Sequence, residues 1–349
     1  MRGAAHIFAC LAAPVLAIGL TMGTASAQML DFKDLDGWAA DDHSAALSTF
    51  LDTCSLLKDP EWSPICRLAP NAMASDAAAR SFFELLFRPV QVGVSPALFT
   101  GYYEPELAGS RTRTPRFAYP VYARPPELTD GQQWLDRAAI ESTGALRGRG
   151  LEIAWLEDPV EVFFLQVQGS GRIRLPDGGV LRVGYAGRNG HAYKSVGQEM
   201  IRQGLMDEHS VSAQGIKSWV RANPEMGAGL LHHNPSFVFF RRLPDLAAEK
   251  GPIGAMGRSI TTMRSVAVDP AFTPLGIPIW LEKDGHNPMR RLMIAQDTGG
   301  AIKGAQRADI FFGTGVQAGE DAGTIKDGGR MIQLLPIDRA FALAEIEGQ

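Results

Sequence analysis

The tightest constraint on this fold is the stretch from Gly251 onward, where short apolar runs are cut at close intervals by glycine and proline. Val266-Ala267-Val268, Gly276 to Leu281, Leu292 to Asp297, Asp309 to Phe312 and Met331 to Leu335 have the length and the residue types of strands. Many short strands at even spacing predict a small closed barrel. Within it, Ala295-Gln296-Asp297-Thr298-Gly299-Gly300 sets a carboxylate where an apolar strand meets a glycine turn, and Asp309 stands just ahead of Ile310-Phe311-Phe312. Two acids at strand ends, beside glycines that admit a ligand close to the backbone, point to a carbohydrate-cleaving site.

The surroundings of the two acids divide their roles. Asp309 lies between Ala308 and an apolar run, so desolvation is expected to raise its pKa and keep it protonated, as a general acid requires. Asp297 adjoins Thr298-Gly299-Gly300, whose hydroxyl and backbone donors are expected to favour the carboxylate. Lys303 and Arg307 either steady charge near the acid or belong to a solvated surface.

Upstream, Ala45 to Leu57 and Asp76 to Leu86 carry apolar residues at helical spacing, the second stopped by Pro89, and a further helix is expected over Ala213 to Ala222. Thr100-Gly101-Tyr102-Tyr103 reads either as cross-strand packing or as a sugar-stacking surface with hydroxyls. Val160 to Gln168 is expected as a strand with Gln166 and Gln168 on one face, followed by Gly169-Ser170-Gly171 and a turn at Pro176-Asp177-Gly178-Gly179. The loop from Tyr185 through Asn189 and His191 to Lys194 is dense in polar groups and points to substrate contact. Ser195 reads as the cap of the next helix, which leaves His191 without a nucleophile nearby in sequence.

Arg2, the apolar run from Ile7 to Leu20 and Ala25-Ser26-Ala27 read as a secretory leader over residues 1–27, so the mature chain is expected to begin near Gln28. Only nine residues precede Cys10, too few for a lipid-attachment signal, so a soluble exported protein is expected. Cys54 and Cys66 then remain as an even pair in an oxidising compartment and are expected to bridge. Removing the leader's one charge, Arg2, takes the formal net charge from −4 to −5, which gives no support for nucleic-acid binding. No metal site or cofactor is expected, since two cysteines without a nearby histidine pair do not hold zinc.

Taken in order, Thr100-Gly101-Tyr102-Tyr103, Val167-Gln168-Gly169-Ser170-Gly171, Tyr185-Ala186-Gly187, Asn189-Gly190-His191-Ala192-Tyr193, Asn234 to Phe240 and Asp297 with Gly299 to Gly304 resemble the membrane-bound lytic murein transglycosylase A family. The C-terminal part resembles its three-aspartate (3D) domain, whose carboxylates map to Asp269, Asp297 and Asp309. The resemblance implies a mainly β fold with some helices. Residues 28–105 and 239–349 would form a six-stranded double-psi β-barrel, and 106–238 an inserted β-barrel-like domain, with a groove between them. It implies a monomer that cleaves the MurNAc–GlcNAc bond of peptidoglycan without water, leaving 1,6-anhydro ends. Asp309 would be acid and base, with Asp297 and Asp269 in support. Thr100, Gly101, Tyr102, Tyr103, Gln168, Gly169, Ser170, Tyr185, Asn189, His191 and Lys303 would line the groove. It further implies a periplasmic location, an outer-membrane association that Cys10 does not support, and partners among the proteins of wall synthesis and hydrolysis.

Three alternatives stand beside this reading, two of them from other classes. Asp297-Thr298-Gly299 matches the aspartic-protease signature, but the chain has one such tripeptide and would have to dimerise to supply a second aspartate. A hydrolytic glycosidase would need two working carboxylates. A non-catalytic wall-binding module would keep the barrel and the aromatic groove alone.

Overall fold

The computed structural model describes residues 27–208 and 210–347; the expected leader and Cys10 fall outside this range, apart from Ala27. Strand β1 (Ala27–Met29) leads to α1 (His43–Cys54), which starts where the Asp42 carboxylate accepts the Ala45 N–H and which buries Ala46, Leu47 and Phe50. After α2 (Trp62–Leu68), the hydroxyl of Ser75 caps α3 (Asp76–Leu86) through the Ala78 N–H. This helix does not need Pro89 to stop it. The chain turns extended at Phe87, and Pro89 sits inside β2 (Phe87–Val92).

Strand β3 (Leu98–Glu104) then carries the chain across Pro105 into a second body: β4 (Glu106–Ser110), β5 (Tyr119–Tyr122), α4 (Arg137–Thr143), β6 (Glu152–Leu156) and α5 (Pro159–Gln168). Next come β7 (Ser170–Arg174), β8 (Val180–Arg188), α6 (Val196–Arg202), α7 (Ala213–Ala222), α8 (Pro224–His232) and β9 (Val238–Arg242). The chain returns through β10 (Ser265–Val268), β11 (Pro278–Lys283), β12 (Met289–Thr298), β13 (Arg307–Thr314), α9 (Val316–Gly323), β14 (Lys326–Asp327), β15 (Gly329–Pro336) and α10 (Ile337–Glu347).

The strands form a nine-stranded sheet in the order β1-β2-β15-β11-β12-β10-β13-β3-β14 and a six-stranded sheet in the order β5-β6-β4-β7-β8-β9. The pairing is therefore wider than the six-stranded arrangement expected, because β1, β2 and β14 add to the six strands β3, β10, β11, β12, β13 and β15. Helix accounts for 32% and strand for 28%. The main core lies between the nine-stranded sheet and the N-terminal helices, where Trp280, Phe50, Phe83, Phe87 and Phe99 are fully buried. Each such side chain contributes roughly 1.5–3 kcal/mol of apolar burial.

The segment 160–168 is a helix, not the expected strand. Asp158 caps it through the Val160 N–H, Pro159 opens its first turn, and Gly169 ends it in the left-handed region at φ 78°. Val160, Phe163 and Phe164 fall on its buried side at helical spacing. The hairpin lies one step later, between β7 and β8 across the 176–179 turn.

Cys54 and Cys66 are bonded across a Cα–Cα distance of 5.6 Å and tie the end of α1 to α2. Closing so short a loop is worth at most about 3 kcal/mol in the chain-entropy account. Reduction is expected to lower the melting temperature by several degrees without changing the far-ultraviolet spectrum. Equal calorimetric midpoints with and without reductant would leave packing alone to hold the two helices.

Candidate active site

The site is laid out by sheet register. Ala267 of β10 pairs in parallel with Asp297 of β12 on one side and antiparallel with Asp309 of β13 on the other, and Asp309 pairs in turn with Thr100 of β3. Side chains opposite one another on adjacent strands share a face. Asp297, Ala267, Asp309 and Thr100 therefore form one row across four strands, with the smallest side chain between the two acids.

A bulge makes this row. Between Val266 and Ala267 the register on β12 slips by one residue, from Ala295 to Asp297. In regular pairing Gln296 would face Ala267, and Asp297 would fall opposite the buried Val268. Instead the fully buried Gln296 takes up the slip, its amide held by the Ser265 hydroxyl and by Thr49 O. A one-residue slip moves a side chain to the other face of a sheet, so the bulge turns Asp297 toward Asp309.

The contacts around the two acids are specific. Thr100 Oγ1 lies 2.5 Å from Asp309 Oδ1, and Arg307 Nη2 lies 2.9 Å from the same hydroxyl. Tyr102 O–H donates to Asp297 Oδ2 at 3.0 Å, while Asp297 Oδ1 accepts the N–H groups of Ala255 and Thr298, each at 2.9 Å. The Ala255 donor reaches the acid because Gly254 has no Cβ, which would otherwise meet Gln296 O at 2.8 Å. Both acids are half-buried.

Burial pushes the Asp309 carboxyl up to about 6; the Thr100 hydrogen bond and the Arg307 charge oppose this, and Asp297 adds to it. Asp297 departs from expectation. Its donors are present, but burial outweighs them and its carboxyl is also raised. Two neighbouring acids both held above the ordinary carboxylate range are unusual for a solvated surface and typical of a functional site.

The other residues singled out by sequence are placed as follows. Asp269 is buried at the end of β10, accepts the N–H groups of Gly304 and Ala271 and pairs with Lys303 at 3.5 Å. These contacts hold its carboxyl below the usual range against the opposing effect of burial. Lys303 is thereby tied to Asp269, and the cation beside the acid is Arg307. Gly101 is a packing site, since a Cβ there would meet Ala322 Cα of α9 at 2.7 Å. The Tyr103 ring lies against Gly319 of α9, and the Tyr103 N–H donates to Gln168 Oε1 at 3.1 Å, so that amide pins β3 and is not a groove floor. Gly169 caps α5, and Ser170 is buried at the start of β7.

Asn189 is fully buried and spends its amide on Leu135 O, Pro235 O and the Phe237 N–H. It organises the loop and offers nothing to a ligand. His191 Nε2 is 2.7 Å from Trp134 O. Tyr185 is 48% exposed, as a stacking platform would be. The second sheet reaches the turn after Asp297 through Arg188, whose Nη1 would lie 3.4 Å from a Cβ on Gly300. Sequence reasoning missed Ala255 and the Gln296 bulge, for which no residue pattern gives a signal, and also Glu104. That carboxylate is 1% exposed and joins the bodies by ion pairs to Arg172 (2.7 Å) and Arg182 (2.8 Å).

The chain thus carries paired acids on a nine-stranded sheet and, in the segment after β3, a second, six-stranded sheet. Family models match accordingly: the MltA specific insert domain over residues 98–241 and the 3D domain over 264–335. A membrane-bound lytic murein transglycosylase from Agrobacterium tumefaciens superposes with a TM-score of 0.80 at 34% identity, covering 91% of this chain and 99% of that one. Escherichia coli MltA with bound chitohexaose superposes with a TM-score of 0.71 at 29% identity, covering 85% and 91%. Membrane-bound lytic murein transglycosylase A of Vibrio cholerae is 39% identical over 248 residues, which is 68% of this chain and 65% of that protein. The chain belongs to the membrane-bound lytic murein transglycosylase A family. Among the described residues no helix is long and apolar enough to cross a membrane.

Proposed function

We propose that this protein is a lytic transglycosylase that cleaves the β-1,4 MurNAc–GlcNAc bond of peptidoglycan, with Asp309 as its acid and base. The observation that carries the reading is the Asp309 carboxyl, raised by burial to about 6 and set in a row with Asp297 and Thr100. A group with that pKa is a competent proton donor near neutral pH and a competent acceptor once ionised.

Asp309 gives its proton to the glycosidic oxygen as the bond from C1 of MurNAc breaks. The resulting carboxylate takes the proton of the C6 hydroxyl as O6 closes onto C1, which restores the acid and leaves a 1,6-anhydro end. No water is consumed. A single acid suffices because the nucleophile belongs to the substrate and is held at high effective molarity. Asp297, fixed by Tyr102, Ala255 and Thr298, orients the site and tunes Asp309. The Escherichia coli relative with bound chitohexaose supports glycan strands as the ligand, and exposed Tyr185 offers a ring to stack on them.

The two-domain division supports a groove at the seam where Arg188 meets Gly300, and Ala25-Ser26-Ala27 supports export. N-terminal sequencing of the secreted protein is expected to find Gln28 or a neighbour.

The test is digestion of sacculi in ¹⁸O-labelled water with mass spectrometry of the products. Unlabelled 1,6-anhydro muropeptides are expected. Label at the new end would make the protein a hydrolase, and binding without release would make it a wall-binding module.

A further inference from the structure

The proposed reaction requires the proton of Asp309 on the carboxyl oxygen that meets the substrate, and the sheet contains a device that selects that oxygen. Arg307 and Asp309 lie two residues apart on β13 and share a face. The Arg307 guanidinium is anchored by Nη1 to Ala308 O at 2.7 Å and Leu98 O at 3.3 Å, while Nη2 faces Thr100 Oγ1. A guanidinium has donors and no acceptor, so Thr100 accepts from Arg307, and the single proton of the threonine is left for Asp309 Oδ1. With Oδ1 an acceptor, the proton of the neutral acid resides on Oδ2. That oxygen makes no hydrogen bond among the described residues and is not enclosed.

We propose that Arg307 is a positioning residue that acts through Thr100, fixing the direction of the threonine proton so that Asp309 presents its transferable proton on Oδ2. This rests on Asp309 being the acid. The other groups around Asp309 leave the role to this pair. β10 brings only Ala267, Asp297 of β12 is engaged by Tyr102, and Lys326 of β14, which pairs with Thr100 in register, is turned to Glu208 at 3.1 Å. Helix α9, with Glu320 and Asp321, packs on Gly101 and Tyr103 and so covers the opposite face of β3.

The charge of Arg307 and the hydroxyl of Thr100 both hold the Asp309 carboxyl down against burial. Arg307→Met and Thr100→Val are therefore each expected to move its titration upward by roughly one pH unit, read by ¹³C NMR of the aspartate carboxyls. The alkaline limb of kcat/KM on sacculi is expected to follow. The fall in kcat in the Arg307→Met, Thr100→Val double variant is expected to be no larger than in Thr100→Val alone, since one device is lost either way. Thr100→Ser is expected to restore both the limb and kcat.

Unchanged titration in the two single variants, with a lowered melting temperature, would overturn the proposal and leave Arg307 a structural role. Should Arg307→Met fail to fold, Thr100→Val against Thr100→Ser decides the matter alone. The NMR titration needs no turnover. A protein that shows the titration shifts but releases no anhydro product would sink the lytic reading and leave the Arg307–Thr100–Asp309 relay standing.

Discussion

Replacing Asp309 with asparagine is expected to lower turnover on sacculi by ~10² to 10⁴-fold, or more because both proton transfers use the same group. The substitution keeps the shape and an oxygen for the Thr100 hydroxyl and removes the transferable proton. The same change is expected to stabilise the protein at neutral pH. The folded carboxyl titrates at about 6 against an ordinary 3.8, so between those values the folded state holds a proton that the unfolded chain has lost. Stability from this group is therefore fully present below about pH 4 and is lost as pH rises through 6. A difference of about two pH units corresponds to roughly 3 kcal/mol, which Asp309→Asn regains at pH 7 and not at pH 4. Thermal unfolding of both proteins at the two pH values checks the sign. A variant that is inactive and also less stable at pH 7 would mean that Asp309 is a structural acid. Full activity in the variant would move the proton-transfer role to Asp297.

The largest loss of stability is expected at Glu104, the last residue of β3 before the chain crosses into the second sheet. Its carboxylate is held by Arg172 of β7, Arg182 of β8 and the Thr314 hydroxyl of β13 at 2.9 Å. Removing one partner of a buried ion pair typically costs ~3–5 kcal/mol, because the remaining charge stays in a place that water no longer reaches. Glu104→Ala leaves two guanidiniums in that position, so its denaturant midpoint is expected to fall accordingly. Replacing all three groups by apolar residues, Glu104→Leu with Arg172→Met and Arg182→Met, is expected to recover most of the loss. A Glu104→Ala protein as stable as the parent would show that the network is wet and that packing alone joins the sheets.

What the sequence by itself determined is what depends on near neighbours in the chain. The extents of α3 and α7 follow from apolar residues at helical spacing, and five of the six C-terminal strands, all but the two-residue β14, follow from apolar runs bounded by turns. The Cys54–Cys66 bond follows from cysteine arithmetic, and the apolar run after Asp309 marks a buried strand, although the burial that raises its carboxyl is completed by the neighbouring strands. Even α5 was legible, through Asp158-Pro159 at its start, Gly169 at its end and Val160, Phe163 and Phe164 at helical spacing. The alternation of Gln166 and Gln168 with apolar residues masks that pattern.

What only the tertiary structure decided is which distant groups meet. Asp297 comes onto the face of Asp309 through the slip at Gln296, which depends on Ser265 and on Thr49 of α1, more than 200 residues away in sequence. Its raised carboxyl was hidden for the same reason: local donors are visible in a sequence, whereas burial is set by strands and segments that arrive from elsewhere. Asn189, polar and set among glycines, looks like a ligand contact, yet the carbonyls of Leu135 and Pro235 and the N–H of Phe237 consume its amide. Arg307 reaches Thr100 across a parallel strand pair joined by about two hundred intervening residues, a neighbour relation that strand register alone creates.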